Sequence, residues 1–191
     1  MPDFAGEVKE KWKMITAKFG RGKGLMTGNN KNDKIYTPLN VAKEIIDIFQ
    51  PTGKVLDAFK GKGAFYNQYP ANVEKDWCEI DDGRDFFDYN EKVDWIITNP
   101  PYSILDEVLE HSFEIAQNIV YLVPLSKIFT SLKRIRKILN FGNIKEIHII
   151  GAGKCGFPFG FPACAIWFSK GYSGKTIIKE LNELKKELKN E

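Results

Sequence analysis

Cysteine and histidine are scarce in this chain. Three cysteines, Cys78, Cys155 and Cys164, and two histidines, His111 and His148, stand among 191 residues. No two cysteines have the spacing of a metal-binding pair. This argues against a structural zinc or a disulfide framework, and reduced thiols with no metal site are expected. Long apolar runs are also missing. The longest are strand-sized, far below the roughly 20 residues of a membrane span. The opening MPDFAGEVKEKWKMI scatters charges where a signal peptide would be apolar, so a cytoplasmic protein without a membrane partner is expected. Neither charge sign dominates. Lys and Arg number 28 against 25 Asp and Glu, a net +3, which permits a nucleic-acid partner without demanding one. The remainder is ordinary for one globular domain with a real core.

Residues 1–34 form a basic arm with eight Lys or Arg and a loop-like GRGKGLMTGNNKND stretch. Residues 35–174 read as the main domain, and 175–191 as an amphipathic helix with Ile177, Ile178, Leu181, Leu184 and Leu188 on one side. Within the domain, Thr37-Pro38 opens a helical rhythm, Val41, Ile45, Ile46, Ile48 and Phe49. Thr37 suits the N-cap and Pro38 the first turn. Strands are expected at Val55–Asp57, Trp77–Ile80, Val93–Thr98, Ile119–Val123, Ile144–Ile150 and Ala163–Phe168. Between them lie a short helix near Ala64–Tyr69, an amphipathic helix over 104–117 and a basic helix over 127–140. This alternation means an α/β fold: a mostly parallel sheet with helices on both faces. Ligands of such sheets sit outside the carboxyl ends of the strands. The unusual residues fall at those ends.

Two motifs carry chemistry. Asp57-Ala-Phe59-Lys-Gly61-Lys-Gly63 leaves a buried strand and enters a turn. Its glycines let a backbone approach a ligand closely. The spacing is neither the dinucleotide fingerprint nor a P-loop. An acid beside such a turn suits a ligand with an amine and a sugar. The second motif is Asn99-Pro100-Pro101-Tyr102. Each proline fixes its own φ, so the segment is rigid and extended. It can present the Asn99 oxygen and a backbone carbonyl side by side, two acceptors for an amine with two N–H bonds. Tyr102 adds a flat face for stacking.

Together these motifs resemble the S-adenosylmethionine-dependent adenine-N6 DNA methyltransferases of the Asn-Pro-Pro-Tyr type. The resemblance spans roughly residues 35–170. It implies a Rossmann-like class I methyltransferase fold with six or seven strands. It implies that Asp57, Phe59, Gly61 and Gly63 bind the methyl donor, with Tyr36, Thr37 and Pro38 as a further donor motif. Glu79 fits the acid holding the ribose hydroxyls, with Asp81 and Asp82 as rivals. Asp85 and Phe86 fit the pair beside the donor's adenine ring. Asn99, Pro100, Pro101 and Tyr102 would bind the amine to be methylated.

The chain departs from the family pattern in two places. Five residues separate Glu79 from Asp85, where the family places a helix and much of a strand. Few residues follow the last expected strand, so no target-recognition domain is expected after it, a resemblance to small solitary phage or prophage enzymes. Specificity would come from short loops, the arm or a separate partner.

In duplex DNA the target base would be flipped out of the stack. Tyr102 would hold one face, and Phe157, Phe159 or Phe161 the other. Lys133, Arg134, Arg136 and Lys137 on the basic helix are candidate phosphate contacts. His111 and His148 sit inside a helix and a strand, where structural roles are expected. Structured RNA is the main alternative substrate. Cytosine N4, protein glutamine and a non-catalytic binding module remain as further readings.

Overall fold

A computed structural model describes residues 36–151 and 162–181. The basic arm, Phe157, Phe159, Phe161 and residues 182–191 lie outside the described residues.

The first helix, α1 (Leu39–Phe49), buries Val41, Ala42, Ile45, Ile46 and Phe49 as one stripe. It starts one turn position later than expected. Pro38, not Thr37, is the N-cap, and its carbonyl accepts from the Ala42 N–H at 3.1 Å. The Thr37 hydroxyl is engaged elsewhere, with Asn99. At the far end Gln50 turns left-handed at φ 42° and its N–H closes on the Ile46 carbonyl. Pro51 follows and cannot extend the helix.

Seven strands form one sheet in the order β2-β1-β3-β4-β6-β5-β7. They are β1 (Lys54–Asp57), β2 (Glu74–Trp77), β3 (Val93–Thr98), β4 (Ala116–Pro124), β5 (Gly142–Ile150), β6 (Ala163–Lys170) and β7 (Ile177–Glu180). The β1–β2, β1–β3, β3–β4 and β5–β7 pairs are parallel; β6 runs antiparallel to both β4 and β5. One face packs on α1 through Val55, Trp95, Ile97, Val120 and Leu122. The other carries α2 (Leu105–Ile115), whose Ser112 hydroxyl hydrogen-bonds the buried Tyr121 hydroxyl. Also on that face is α4 (Leu132–Phe141), whose Phe141 ring stacks on Phe113 at 4.3 Å.

Four expectations are corrected here. The second strand is Glu74–Trp77 rather than Trp77–Ile80. It is charged and partly exposed, which an edge position with one neighbour tolerates and an apolar pattern does not reveal. The expected helix near Ala64–Tyr69 is one 3₁₀ turn, Tyr66–Gln68. The basic helix over 127–140 is two helices, α3 (Leu125–Phe129) and α4, broken where the Ser131 hydroxyl caps the second by accepting from the Arg134 N–H at 3.3 Å. The C-terminal helix does not begin at residue 175. Residues 177–180 are strand β7, paired in parallel with Glu146–Ile149. The β-branched Thr176-Ile177-Ile178 run favours this geometry, and the Thr176 hydroxyl donates to the Ile144 carbonyl at 2.8 Å.

Residues 78–92, between β2 and β3, hold no strand; two 3₁₀ turns and extended chain fill that span, so β2 is an edge. The chain leaves β1 for β2 on one side and returns to β3 on the other. The crevice between the carboxyl ends of β1 and β3 is therefore the topological switch point, where open α/β sheets bind ligands.

Candidate active site at the carboxyl rim

Both sequence motifs meet at that crevice. β1 ends on Asp57 and β3 on Thr98, with Asn99 next. The β1–β2 ladder continues to Asp57 opposite Trp77, but the β1–β3 ladder stops at Leu56 opposite Ile96. Beyond it side chains take over. The Thr98 hydroxyl donates to Asp57 Oδ1 at 2.8 Å and accepts from the Phe59 N–H at 3.2 Å. The Tyr66 N–H donates to Asp57 Oδ2 at 3.2 Å.

The glycine turn hangs from this network. The Lys60 N–H donates to the Cys78 carbonyl, and the Gly63 N–H to the Lys60 carbonyl. Gly61 and Gly63 have φ of +50° and +79°, in the left-handed region that side chains resist. At Gly63 a Cβ would also come within 2.5 Å of Asn67 Nδ2. The Gly61 N–H donates to Glu79 Oε2 at 2.7 Å, which ties the turn to the end of β2. Tyr36 lies over the same glycine, its ring 3.6 Å from where a Gly61 Cβ would be.

Asp57 is fully buried, and burial pushes its carboxyl up to about 7 against the hydrogen bonds from Thr98, Tyr66 and Phe59. The unfolded chain ionises this group near about pH 4. Between about pH 4 and about pH 7 the folded protein therefore holds a proton that the unfolded chain has lost. Stability from this group falls as pH rises through that window and is level above it. Asp57→Asn removes this component. In urea titrations the variant is expected to gain on the wild type between about pH 4 and about pH 7. A constant gap would mean that the carboxyl ionises as an ordinary one.

On the β3 side, the Asn99 amide is fixed from both ends. Its Nδ2 donates to the Thr37 hydroxyl at 3.3 Å, and its Oδ1 accepts from the Tyr102 hydroxyl at 3.0 Å. Tyr102 OH also has the Leu122 carbonyl at 3.3 Å. Pro100 is buried and Pro101 extended, at φ −65° and ψ 123°. Residues 36 and 37 thus touch both motifs, Tyr36 the glycine turn and Thr37 the amide.

The acidic stretch sorts by partner. Glu79 holds the Gly61 and Asp81 N–H groups. Asp82 pairs with Lys60 at 2.9 Å. Asp85 caps a 3₁₀ turn by accepting from the Phe87 N–H at 3.0 Å. Phe86 is buried, with its ring 5.2 Å from Phe59 and 4.8 Å from His111. His111 Nε2–H donates to the Tyr89 carbonyl, and His148 is buried beside Glu146.

The basic helix divides. Arg134 makes two hydrogen bonds to the Asp106 carboxylate, at 2.8 and 3.0 Å, and holds that carboxyl below its usual range. Lys137 pairs with Glu110. Both are tied to α2, while Lys133 and Arg136 are exposed. Sequence reasoning missed Thr98 and Trp77. The Trp77 ring has two cations over it, Lys60 Nζ at 3.4 Å and the Arg84 guanidinium at 4.4 Å from its centroid. No local signal marks either residue, because their partners are distant in sequence.

Searches of family models and of curated proteins return no match. Solved structures do match. A candidate class I S-adenosylmethionine-dependent methyltransferase from Listeria monocytogenes superposes with a TM-score of 0.63 at 13% identity, over 98% of this chain and 78% of that one. A type I restriction-modification methyltransferase subunit from Streptococcus thermophilus gives 0.60 at 17% identity, over 81% of this chain. The chain spans about half of that subunit, 49%. The 23S rRNA methyltransferase ErmE gives 0.52 at 13% identity, over 71% of this chain and 70% of that one. The fold is the Rossmann-like class I fold of S-adenosylmethionine-dependent methyltransferases.

Proposed function

We propose that this protein transfers a methyl group from S-adenosylmethionine to the exocyclic N6 amine of adenine in DNA. The observation that carries this reading is the placement of Asn99-Pro100-Pro101-Tyr102 at the β1–β3 crevice, joined to the glycine turn through Tyr36 and Thr37.

The residues present suit the donor. Glu79 keeps lone pairs beyond its two N–H contacts and would accept from the ribose hydroxyls. The exposed Tyr36 ring would border the donor where the glycine turn brings backbone close. Asp85 and Phe86 would flank its adenine, with Phe86 setting the wall rather than an exposed stacking face.

The donor's methyl is bound to a sulfonium sulfur and needs no further activation. The chain's task is positioning, which by itself can supply much of a rate enhancement. Asn99 Oδ1 and the Pro100 carbonyl would accept the two N–H bonds of the amine. Those bonds favour a pyramidal nitrogen with a localised lone pair and stabilise the positive charge that develops there. The N–CH3 bond forms as the S–CH3 bond breaks, and the nitrogen then loses a proton to water. The Thr37 contact holds the Asn99 side chain in place beside the amine. The Tyr102 hydroxyl can yield the Asn99 oxygen, because the Leu122 carbonyl is its second acceptor. The Tyr102 ring would then stack on the flipped base. Lys133 and Arg136, the exposed pair of α4, would face phosphate. A separate partner would supply sequence specificity.

The test is transfer of labelled methyl to duplex DNA, single-stranded DNA and RNA in parallel, with nucleoside analysis. N6-methyladenine in DNA is expected. Label in RNA alone would move the reading to structured RNA. Donor binding without transfer to any of them would move it to a protein substrate or a non-catalytic module.

A further inference from the structure

We propose that Thr98 is a positioning residue: its hydroxyl sets the spacing between the donor-binding turn and the amine-binding Asn99. This inference rests on the methyltransferase reading above, and it concerns a residue outside both motifs.

β1 and β3 pair at Val55–Trp95 and Leu56–Ile96, and the pairing then ends. The two chains must part here to make a crevice, and each carries half of the site beyond the parting point. Backbone bonds cannot hold the separation, because the ladder has stopped. Buried side chains take over: the Tyr69 hydroxyl donates to the Ile97 carbonyl at 2.7 Å, and Thr98 bridges directly to β1 and the turn. Thr98 is completely buried and is the last residue of β3, immediately before Asn99. Its hydroxyl gives its one proton to Asp57 Oδ1 at 2.8 Å. Its lone pair takes the Phe59 N–H, at 3.2 Å, on the first stretch of the glycine turn. A single oxygen is thus bonded to the end of β1 and to the turn, and is covalently continuous with the amine motif.

A hydroxyl does this because it both donates and accepts. Valine has the same shape but neither donates nor accepts. It would leave the half-buried Phe59 N–H short of its acceptor and the buried Asp57 Oδ1 short of its donor. Serine keeps both functions in a smaller side chain. Displacements of about 1 Å between reacting groups are enough to lower transfer by about 100-fold. The resulting expectation is specific to positioning: donor affinity and transfer at saturating donor should both suffer in folded protein.

Three readouts test it on the full chain. The first is calorimetric affinity for S-adenosylmethionine, the second is single-turnover methyl transfer at saturating donor and DNA, and the third is hydrogen exchange at the Phe59 amide. For Thr98→Val we expect roughly tenfold weaker donor binding, at least tenfold slower transfer and loss of protection at Phe59 (a displacement of about 1 Å being ample for this). For Thr98→Ser all three should stay within about threefold of wild type, since its hydroxyl keeps the hydrogen bonds. If Thr98→Val folds with wild-type affinity, transfer and exchange, the proposal is overturned. If Thr98→Val does not fold, Thr98→Ser decides: a loss of binding in the serine variant as large as tenfold would overturn it. Wild-type donor binding without transfer to nucleic acid would defeat the substrate reading alone, because the affinity and exchange comparisons would still decide the role of Thr98.

Discussion

Asn99→Ala is expected to slow methyl transfer by at least about 100-fold, the scale seen when one preorganised polar group is removed from a developing charge. Donor affinity should change by less than about threefold, well under 1 kcal/mol. The asymmetry follows from where Asn99 sits. Its amide bonds Tyr102 of its own motif and the Thr37 hydroxyl, and neither bond is to the glycine turn. The glycine turn is held by Glu79, Cys78 and the Asp57–Thr98 pair, none of which is bonded to the Asn99 side chain in the contacts described above. Alanine also removes both functions of the amide at once. It deletes the acceptor for the amine and releases the Thr37 and Tyr102 hydroxyls. Calorimetry with S-adenosylmethionine and labelled transfer to DNA measure the two quantities. Equal loss of both would overturn the division between a donor half and an amine half.

Phe86→Ala is expected to lower folding stability by about 3–5 kcal/mol, the range for truncating a buried phenylalanine. Phe86 is 2% exposed and packs its ring against Phe59, Phe87 and His111. It therefore joins three parts of the fold: the donor turn, the β2–β3 connection and α2. A cavity there cannot close easily. Asp85 pins the 3₁₀ turn that presents Phe86, and His111 is anchored by its bond to the Tyr89 carbonyl. Phe86→Leu should recover more than half of the loss, because most of the volume returns. Urea denaturation reads both variants. Donor affinity at low temperature, where the alanine variant remains folded, should also weaken, since Phe59 loses its support. A loss below about 1 kcal/mol would place Phe86 outside the core.

Several features were legible in the residues alone. Asp57, Gly61, Gly63 and Asn99–Tyr102 are compact motifs. Their chemistry depends on neighbours in sequence, and the positive φ of the two glycines is a local property. The Val93–Thr98 strand has the bounds expected of it, because a buried central strand is apolar nearly throughout and two prolines end the following segment. The shortened connection between β2 and β3 could likewise be counted from the spacing of Glu79 and Asp85.

Other features depend on partners that local pattern does not name. β2 is charged because it lies at the sheet edge, and only the strand order reveals the edge. β7 carries the two isoleucines that open a spacing compatible with a helix, but its backbone bonds go to β5, about thirty residues earlier. Arg134 and Lys137 look like a phosphate-binding run in sequence, yet Asp106 and Glu110 on α2 take them. Thr98 is an ordinary strand threonine until the fold sets it beside Asp57 and Phe59. Sequence by itself determined the layer type, the two motifs and their position at strand ends, because these follow from hydrophobic period and backbone stereochemistry. Tertiary structure decided which charges are engaged, which strands are edges and what holds the crevice apart, because those are set by side chains that meet only when distant segments pack.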